Sequence, residues 1–438
     1  MGIFKFLFFL ILSLFLKIEL SAQSTTIDTL RFATPSHLNI DSLRLYNGVD
    51  SIITQALDSG AFPGCQILMA KEGKIFYYHS FGYHTYDSIQ KVKNSDLYDL
   101  ASITKITATT LALMKLQEEG KFDLDQTLGY YFPFLAKSNK SELTMRKVLA
   151  HQSKLKNWIP YYSESQRKNG KYRRKTISTD SSANYPNRVP GSDLFLHKDF
   201  KEDKIYKMIK KSDLYEEEKY VYSGLAFYLF PELIRRLSGV SFDQYLNDHF
   251  YSPLGAKSMG FEPLRKYSSS EIVPTEVDTF FRMKKLHGTV HDEGAAVMLG
   301  ISGNAGLFSN AYDLAKVYQM LLNGGTYNGR TYLNPETIAE FTRCQYCEKG
   351  NRRGLGFDKP LIEYDSIKTS VAKLTSPNSY GHSGYTGTLI WVDPDNHFLF
   401  IFLANRVFPT RINRKIYTLN IRPRIHDMVY GLLENKNE

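Results

Sequence analysis

Cysteine is scarce in this sequence, which has only three cysteines among 438 residues. Cys344 and Cys347 form a Cys-x-x-Cys pair, but no second cysteine pair and no neighbouring histidine completes a zinc site. A local disulfide between them would fit an oxidising compartment. Cys65 stands in an apolar run and is expected to be a small buried hydrophobic residue. The cysteines therefore indicate neither a metal site nor a catalytic redox site.

Long hydrophobic runs are also missing, and the one candidate lies at the N-terminus. Residues 6–16 are almost wholly apolar, but this run is too short to span a bilayer comfortably. Its basic start and the small residues before Gln23 predict a secretory signal peptide over residues 1–22. No cysteine follows the run directly, which argues against a lipid anchor. We therefore expect a periplasmic or secreted protein with no stable membrane span once the signal peptide is removed.

The chain also lacks low-complexity tracts and internal repeats. With 42% hydrophobic and 14% aromatic residues, it has the composition of a globular, enzyme-sized protein. We interpret residues 23–438 as a single catalytic domain. The formal net charge of +10 suits contact with anionic cell-envelope material, and a generic solvated basic surface explains it equally well. We expect no nucleic-acid partner, and the sequence leaves the oligomeric state open.

Ser102 and Lys105 form a Ser-x-x-Lys motif at the start of an apolar stretch, residues 101–114. In a helix, side chains three residues apart share a face, so the Lys105 amine would lie beside the Ser102 hydroxyl. A desolvated amine is one of the few groups able to take a serine proton. Only Ser102 has a polar segment before it and an apolar helical run after it. The N-terminus of that helix would stabilise developing negative charge. The same spacing recurs in polar, basic or turn-rich stretches at Ser88, Ser153, Ser165 and Ser370.

Two further segments carry residues suited to acyl transfer. Residues 220–230 place Tyr222 at a helix start, where its phenol would serve as a base or proton relay if cations lower its pKa. Residues 380–388 combine small residues with His382 before an apolar strand, leaving a strand edge open to a ligand and a backbone N–H facing an oxyanion. Read alone, Tyr222 would be one of thirty ordinary tyrosines. The His-Ser-Gly at residues 382–384 would, alone, be a turn.

The remaining pattern predicts the elements around these motifs. Residues 160–218 are polar and basic, and we interpret them as an insertion or long surface loop, with a lid as an alternative. The periodicity predicts helices over residues 41–59 and 143–151, and strands over residues 64–70 and 74–81.

In this order and at these separations, the three motifs resemble those of the serine β-lactamase and penicillin-binding-protein superfamily. The branch is that of class C β-lactamases, DD-carboxypeptidases and related esterases, and the resemblance covers residues 40–435. It includes further segments in the same order, at residues 120–125, 149–153, 241–246, 252–261, 303–309 and 313–315. The resemblance implies an α+β fold. An antiparallel sheet flanked by the terminal helices would use residues 40–110 and 300–438, and a mainly helical lobe would occupy residues 111–299. The late strands of this sheet would be residues 387–392 and 398–404, and the closing helix residues 422–434.

The resemblance also implies a mechanism, acyl transfer through a covalent serine ester. Ser102 would attack a carbonyl, with Lys105 and Tyr222 sharing the proton transfer, and the backbone N–H groups of Ser102 and Tyr385 would form the oxyanion hole. His382, where many relatives have lysine, would polarise Tyr222 or hold a substrate carboxylate. The substrate-binding residues implied are Ser383, Gly384 and Tyr385. No metal or organic cofactor is required.

One position departs from the family pattern. Relatives usually carry Tyr-x-Asn or Ser-x-Asn, whereas here the third position is Gly224, which has no amide to contact the lysine and the substrate. Losing such a hydrogen bond costs about 1 to 3 kcal/mol, or roughly ten- to hundred-fold in rate. Efficient β-lactam turnover is therefore not expected.

Three functions stay open from the sequence. The first is an active cell-envelope hydrolase of the DD-carboxypeptidase or esterase type, acting on a small peptide, ester or muropeptide. The second is a true β-lactamase. The third is a degenerate member that binds muropeptide or a partner protein without turnover, which Gly224 and the basic insertion favour, although the presence of Ser102, Lys105, Tyr222 and His382 together argues against it.

Overall fold

The computed structural model describes residues 28–434, so the predicted signal peptide lies outside the described residues. Within this range a central six-stranded sheet is built from both ends of the chain. Its strands, in chain order, are β1 (Arg31–Phe32), β2 (Gly64–Lys71), β3 (Lys74–Gly82), β4 (Tyr380–Ser383), β5 (Leu389–Asp393) and β6 (Phe398–Ala404). Their spatial order is β1-β3-β2-β6-β5-β4, and only the short β1–β3 pair is parallel.

The long strands are buried on both faces because successive side chains point to opposite sides of the sheet. In β6, Leu399, Ile401 and Leu403 pack into one core, and the alternating residues Phe398, Phe400 and Phe402 pack into the other. The second core lies against the first helix, Ser42–Asp58, and the last, Ile421–Glu434, which contact each other. This is the α+β arrangement that the resemblance implies, with the predicted strands and terminal helices confirmed.

The core that contains Leu399, Ile401 and Leu403 also packs the sheet against the middle of the chain.

The helix over residues 143–151 is shorter than predicted, because Thr144 caps it and His151 adopts a left-handed φ of 56°. The helices of the described residues are Ser42–Asp58, Leu111–Glu118, Leu128–Tyr131, Met145–Leu149, Lys207–Lys211, Phe230–Ser238, Phe242–Leu246, Glu293–Val297, Ala311–Leu322, Pro335–Thr342, Lys415–Thr418 and Ile421–Glu434. Lys105–Thr110, Lys201–Tyr206 and Asn247–Tyr251 are π-helical.

The polar segment over residues 160–218 has structure of its own. Three two-residue strands, Ile177–Ser178, Asn187–Arg188 and Phe195–Leu196, form a small antiparallel sheet, followed by the helical residues 201–211. Buried Ile177, Leu196, Phe200, Ile205 and Ile209 attach this segment to the main core.

Short strands and single turns complete the fold. A three-stranded sheet next to the central one contains Tyr98–Asp99, Leu307–Ser309 and Gly260–Phe261. Two-stranded ladders join Glu276–Val277 to Lys285–Leu286 and Thr326–Tyr327 to Arg330–Thr331. The 3₁₀ turns are Pro35–Leu38, Pro133–Leu135, Ser163–Ser165, Leu225–Tyr228, Pro263–Arg265, Ser269–Glu271 and Cys347–Lys349.

The cysteines and the lengths of the helices agree with the composition. A disulfide joins Cys344 to Cys347, and Cys65 is a buried free thiol, as its apolar surroundings predict. Between residues 28 and 434, every helix is too short or too polar to cross a bilayer.

Gly381 in β4 offers a test of the sheet. A Cβ at this position would overlap the Ile390 carbonyl oxygen and lie 2.6 Å from Trp391 Cε3. Gly381→Ala should therefore lower the free energy of unfolding by about 1 to 3 kcal/mol, measured by urea unfolding. The matched control is Gly431→Ala in the last helix, where nothing lies within 4 Å and helix propensity should add about 0.5 to 1 kcal/mol. Equal stabilities of the two variants would contradict the predicted close packing.

Candidate active site

Ser102 lies in a sharp turn between a strand and a helix. Strand Tyr98–Asp99 leads into Ala101, whose φ of 48° is in the left-handed region that alanine rarely adopts. The buried Asp99 carboxylate holds this turn by accepting hydrogen bonds from Ala101 N at 2.8 Å and His291 N at 2.6 Å. Burial raises the pKa of Asp99, and these two donors oppose the shift. Lys105 N then donates to Ser102 O at 3.0 Å, and the helical segment begins.

Two polar side chains converge on Ser102 Oγ. Lys105 Nζ donates to it over 3.1 Å from one turn along the same helical segment. Tyr222 Oη donates to it over 3.0 Å from a segment 120 residues away in the chain. The hydroxyl of Ser102 is therefore within hydrogen-bond distance of two groups that can exchange its proton.

Lys105 is only 3% exposed, and dipoles and rings surround its ammonium group. Besides Ser102, it donates to the carbonyl oxygen of Asn304 at 2.9 Å. Its Nζ lies 5.3 Å from the ring centroid of Tyr222 and 5.4 Å from that of Phe227. Within the described part of the chain, no carboxylate forms an ion pair with Lys105. The ammonium group of Lys105 therefore lies against the Ser102 hydroxyl and the Tyr222 ring.

The Tyr222 ring is enclosed by three nitrogen-containing side chains. Its centroid lies 4.7 Å from that of His151 and 5.7 Å from that of His382, and the Arg353 guanidinium carbon lies 5.1 Å from it. His151 Nδ1 accepts a hydrogen bond from Ser223 N at 3.2 Å, which fixes the segment that carries Tyr222. Burial, together with the charge of Arg353, lowers the pKa of His151 well below its usual value.

His382 lies behind Tyr222, in β4. Its Nδ1–H donates to the Ser383 carbonyl oxygen at 2.7 Å, and its buried Nε2 has no partner among the described residues. Burial lowers the pKa of His382 to about 3, assisted by the charges of Arg353 and Lys105. The ring is therefore neutral at physiological pH, and it contacts Tyr222 as an uncharged neighbour.

Gly384 brings the end of β4 against the turn that carries Ser102. A Cβ there would overlap Thr388 Oγ1 and lie 2.6 Å from the Leu100 carbonyl oxygen, so only glycine permits this approach. The next residue, Tyr385, is 47% exposed. Within residues 28–434, neither the Ser102 N–H nor the Tyr385 N–H donates to another protein group. The N–H groups of Ser102 and Tyr385 are therefore two free donors, one on each side of the contact between Gly384 and Leu100.

A cleft of about 580 Å³ opens over Ser102. Ser102, Lys105, Tyr222 and Tyr385 line it, whereas His382, Ser383 and Gly384 lie outside its wall. A Cβ at Gly224 would meet nothing within 4 Å, so the missing side chain leaves open space in the cleft. The other residues of the wall are Ala101, Asn157, Trp158, Tyr162, Val221, Leu225, Tyr228, His291, Asp292, Glu293, Asn304, Ala305 and Arg411.

The wall formed by residues 291–293 is charged, and its Glu293 is paired with Arg411. Arg411 donates to Glu293 Oε1 and to Glu276 Oε1, each at 2.6 Å, and His291 Nε2 lies 2.9 Å from Glu276 Oε2. The Arg411 and His291 partners lower the pKa of Glu276 to about 2 despite its burial. These contacts make this wall a rigid, polar side of the cleft.

Several of these residues were not singled out from the sequence as site residues. Asn304 and His151 lie in segments that carry the family resemblance. That resemblance could therefore have predicted that both residues lie near the site. Arg353 stands in residues 351–358, which have no pattern typical of a site. Its position over Tyr222 depends on tertiary packing, for which the sequence holds no local signal.

The chain is similar to known proteins over most of its length. A family model described as Beta-lactamase matches residues 49–421. A protein of Salmonella enteritidis PT4 named "Putative D-alanyl-D-alanine carboxypeptidase" is 29% identical, with 98% of this chain and 100% of the relative covered. The solved structure of EstCE1, a hydrolase with promiscuous acyltransferase activity, aligns with a TM-score of 0.60 at 19% identity, covering 88% of this chain and 99% of that one. A class C β-lactamase from Rhodobacter sphaeroides aligns with a TM-score of 0.59 at 15% identity, covering 88% and 99%.

The turn before Ser102 can be tested through Asp99. Asp99→Ala should lower the free energy of unfolding by about 2 to 4 kcal/mol, because two buried N–H groups lose their acceptor. Asp99→Asn keeps an acceptor and should lose less. Asp41→Ala, which removes only the cap of the first helix, should cost about 1 kcal/mol by urea unfolding. A loss at Asp99 no larger than the loss at Asp41 would show that the turn does not depend on this carboxylate.

Proposed function

The chain belongs to the β-lactamase family, and we propose that it is an exported serine hydrolase that forms an acyl-enzyme through Ser102. Its substrate would be a peptide, ester or amide of the cell envelope, as for a DD-carboxypeptidase or esterase. The observation that carries the proposal is the contact of Ser102 Oγ with both Lys105 Nζ and Tyr222 Oη at the wall of an open cleft.

The geometry supports the following acylation step. Ser102 Oγ forms a bond to the substrate carbonyl carbon while its proton passes to the Tyr222 and Lys105 pair. The carbonyl π electrons move onto oxygen, where the N–H groups of Ser102 and Tyr385 would stabilise the negative charge. Collapse of this intermediate releases an amine or alcohol, which takes the proton. Water then hydrolyses the Ser102 ester by the reverse sequence of proton transfers.

Location in the cell envelope is supported by two independent observations. The first is the Cys344–Cys347 disulfide, a bond that persists mainly in oxidising compartments. The second is the name of the relatives, since a D-alanyl-D-alanine carboxypeptidase acts on a cell-wall peptide. Secretion through a signal peptide over residues 1–22 is part of the proposal.

A binding protein without turnover is the alternative function, and one observation favours it. Gly224 leaves the cleft without the amide that relatives place near the lysine. Lys105 is nevertheless held by the Asn304 carbonyl oxygen at 2.9 Å, so part of this contact is supplied by the backbone. We therefore place a catalytically weak member second and a true β-lactamase third.

Acylation of Ser102 can be followed by intact-mass spectrometry of the purified protein with a fluorescent penicillin, beside Ser102→Ala. We expect an adduct that appears only when Ser102 is present and then persists, because penicillin acylates a serine whose proton is removed by its neighbours. Rapid clearance of the adduct would identify a β-lactamase instead. No adduct, together with no hydrolysis of a chromogenic ester, would favour the binding protein.

The absent amide gives a second test. Gly224→Asn places a carboxamide where the backbone has room for a Cβ, and nitrocefin turnover should rise roughly ten- to hundred-fold. Gly224→Ala is the matched control, since it adds the Cβ without the amide and should leave turnover near the wild-type rate. No gain from the asparagine, or a wild type that is already fast, would contradict the assignment of slow β-lactam turnover to Gly224.

A further inference from the structure

Arg353 is a buried cation that the proposed mechanism has not used. It is 4% exposed and stands outside the wall of the cleft, with its guanidinium carbon 5.1 Å from the Tyr222 ring centroid. Its Nη2 donates to Tyr220 Oη at 3.1 Å, and its Nε lies 3.3 Å from Asp358 Oδ1. Arg353 therefore reaches the site through Tyr222 and not through the substrate.

The charge of Arg353 is only partly compensated. Asp358 is the carboxylate paired with it, and Arg352 already binds both oxygens of this carboxylate, at 2.8 and 3.0 Å. The two guanidinium groups hold the pKa of Asp358 below its usual range, so the cluster has two positive charges and one negative. The buried Nη1 of Arg353 has no hydrogen-bond partner among the described residues. A net positive charge thus remains behind Tyr222.

The other groups facing Tyr222 do not supply this charge. His151 and His382 both have pKa values lowered by burial, and both are neutral near pH 7. Lys105 is the second cation near the ring, but its ammonium group is bound to Ser102 and to the Asn304 carbonyl oxygen. Arg353 is accordingly the cation that acts on Tyr222 without contacting the nucleophile.

We propose that Arg353 is a positioning residue that stabilises the phenolate form of Tyr222, so that this tyrosine accepts the Ser102 proton during acylation. The inference rests on the proposed function. In that step the O–H bond of Ser102 breaks, the Tyr222 phenolate takes the proton, and the freed electron pair forms the bond to the acyl carbon. A guanidinium over the ring lowers the cost of holding the phenolate in a buried site. His382, which the resemblance implies would polarise Tyr222 or hold a substrate carboxylate, is then a neutral packing neighbour of Tyr222.

The test is the pH dependence of single-turnover acylation for Arg353→Met and Arg353→Lys. Arg353→Met removes the charge. In the plot of acylation rate against pH, the midpoint of the rising limb should move at least one pH unit upward. The acylation rate at pH 7 should fall at least ten-fold, with recovery as the pH increases. The lysine keeps a cation and should restore most of the rate. A fall that is equal at all pH values, with an unmoved midpoint, would mean a structural role and would overturn the proposal.

Two further variants separate the alternatives. Lys359→Met removes another buried cation of the same segment, one that donates to the Asn378 and Ser379 carbonyl oxygens, and it should leave the midpoint in place. His382→Gln tests the rival source of polarisation. A shift of the midpoint in the His382 variant, with none in Arg353→Met, would assign the effect to the histidine and overturn the proposal.

The titration of Tyr222 can also be measured without any reaction. The ultraviolet difference between the wild type and Tyr222→Phe isolates its phenolate signal as the pH rises, and the same difference in an Arg353→Met background should titrate at higher pH. If no reporter acylates Ser102, the proposed function fails while this titration still tests Arg353. Identical titrations in the two backgrounds would overturn the role of Arg353 whatever the enzyme does.

Discussion

The site depends on a close backbone contact between the two halves of the chain. Thr386 Oγ1 donates to the Asp99 carbonyl oxygen at 2.8 Å, and Thr388 Oγ1 donates to that of Leu100 at 3.2 Å. These bonds fasten the end of β4 to the turn before Ser102, and Gly384 leaves room for the approach. The candidate nucleophile and both candidate oxyanion donors are therefore fixed by one junction, which has few degrees of freedom once the sheet has formed.

Both burial and ion pairing decide which side chains around the site are charged. Arg411 pairs with Glu276 and Glu293, whereas Asp292 in the same wall accepts hydrogen bonds only from uncharged donors of the described residues, so that side has more acidic than basic groups. The opposite side keeps two cations near one phenol, and the neighbouring histidines are uncharged. Because buried charges interact strongly, Lys105 and Arg353 are the cations of the described residues that act most directly on the Tyr222 ring.

The sequence predicted those features that depend on local pattern or on a motif shared with known proteins. Of this kind are the strand pattern of residues 64–81, the i, i+3 spacing of Ser102 and Lys105, and the strand 398–404 and helix 422–434 that the resemblance implies. The small sheet inside residues 160–218 was missed because its strands have two residues each and no measurable period. Arg353 was missed for another reason. Its proposed role follows from which ring it contacts, and a basic residue in a loop is usually a solvated one.

The position of β6 in the sheet has a consequence for synthesis. β6 pairs with β2, its partner more than 300 residues earlier in the chain, and every strand on the β4 side reaches the first hairpin only through β6. These strands cannot meet before the ribosome has synthesised the chain beyond residue 404, and such distant pairing is slow to form. The junction that fastens Ser102 is therefore among the last parts of the molecule to assemble. A newly made chain remains inert as a hydrolase until its C-terminal strands are in place.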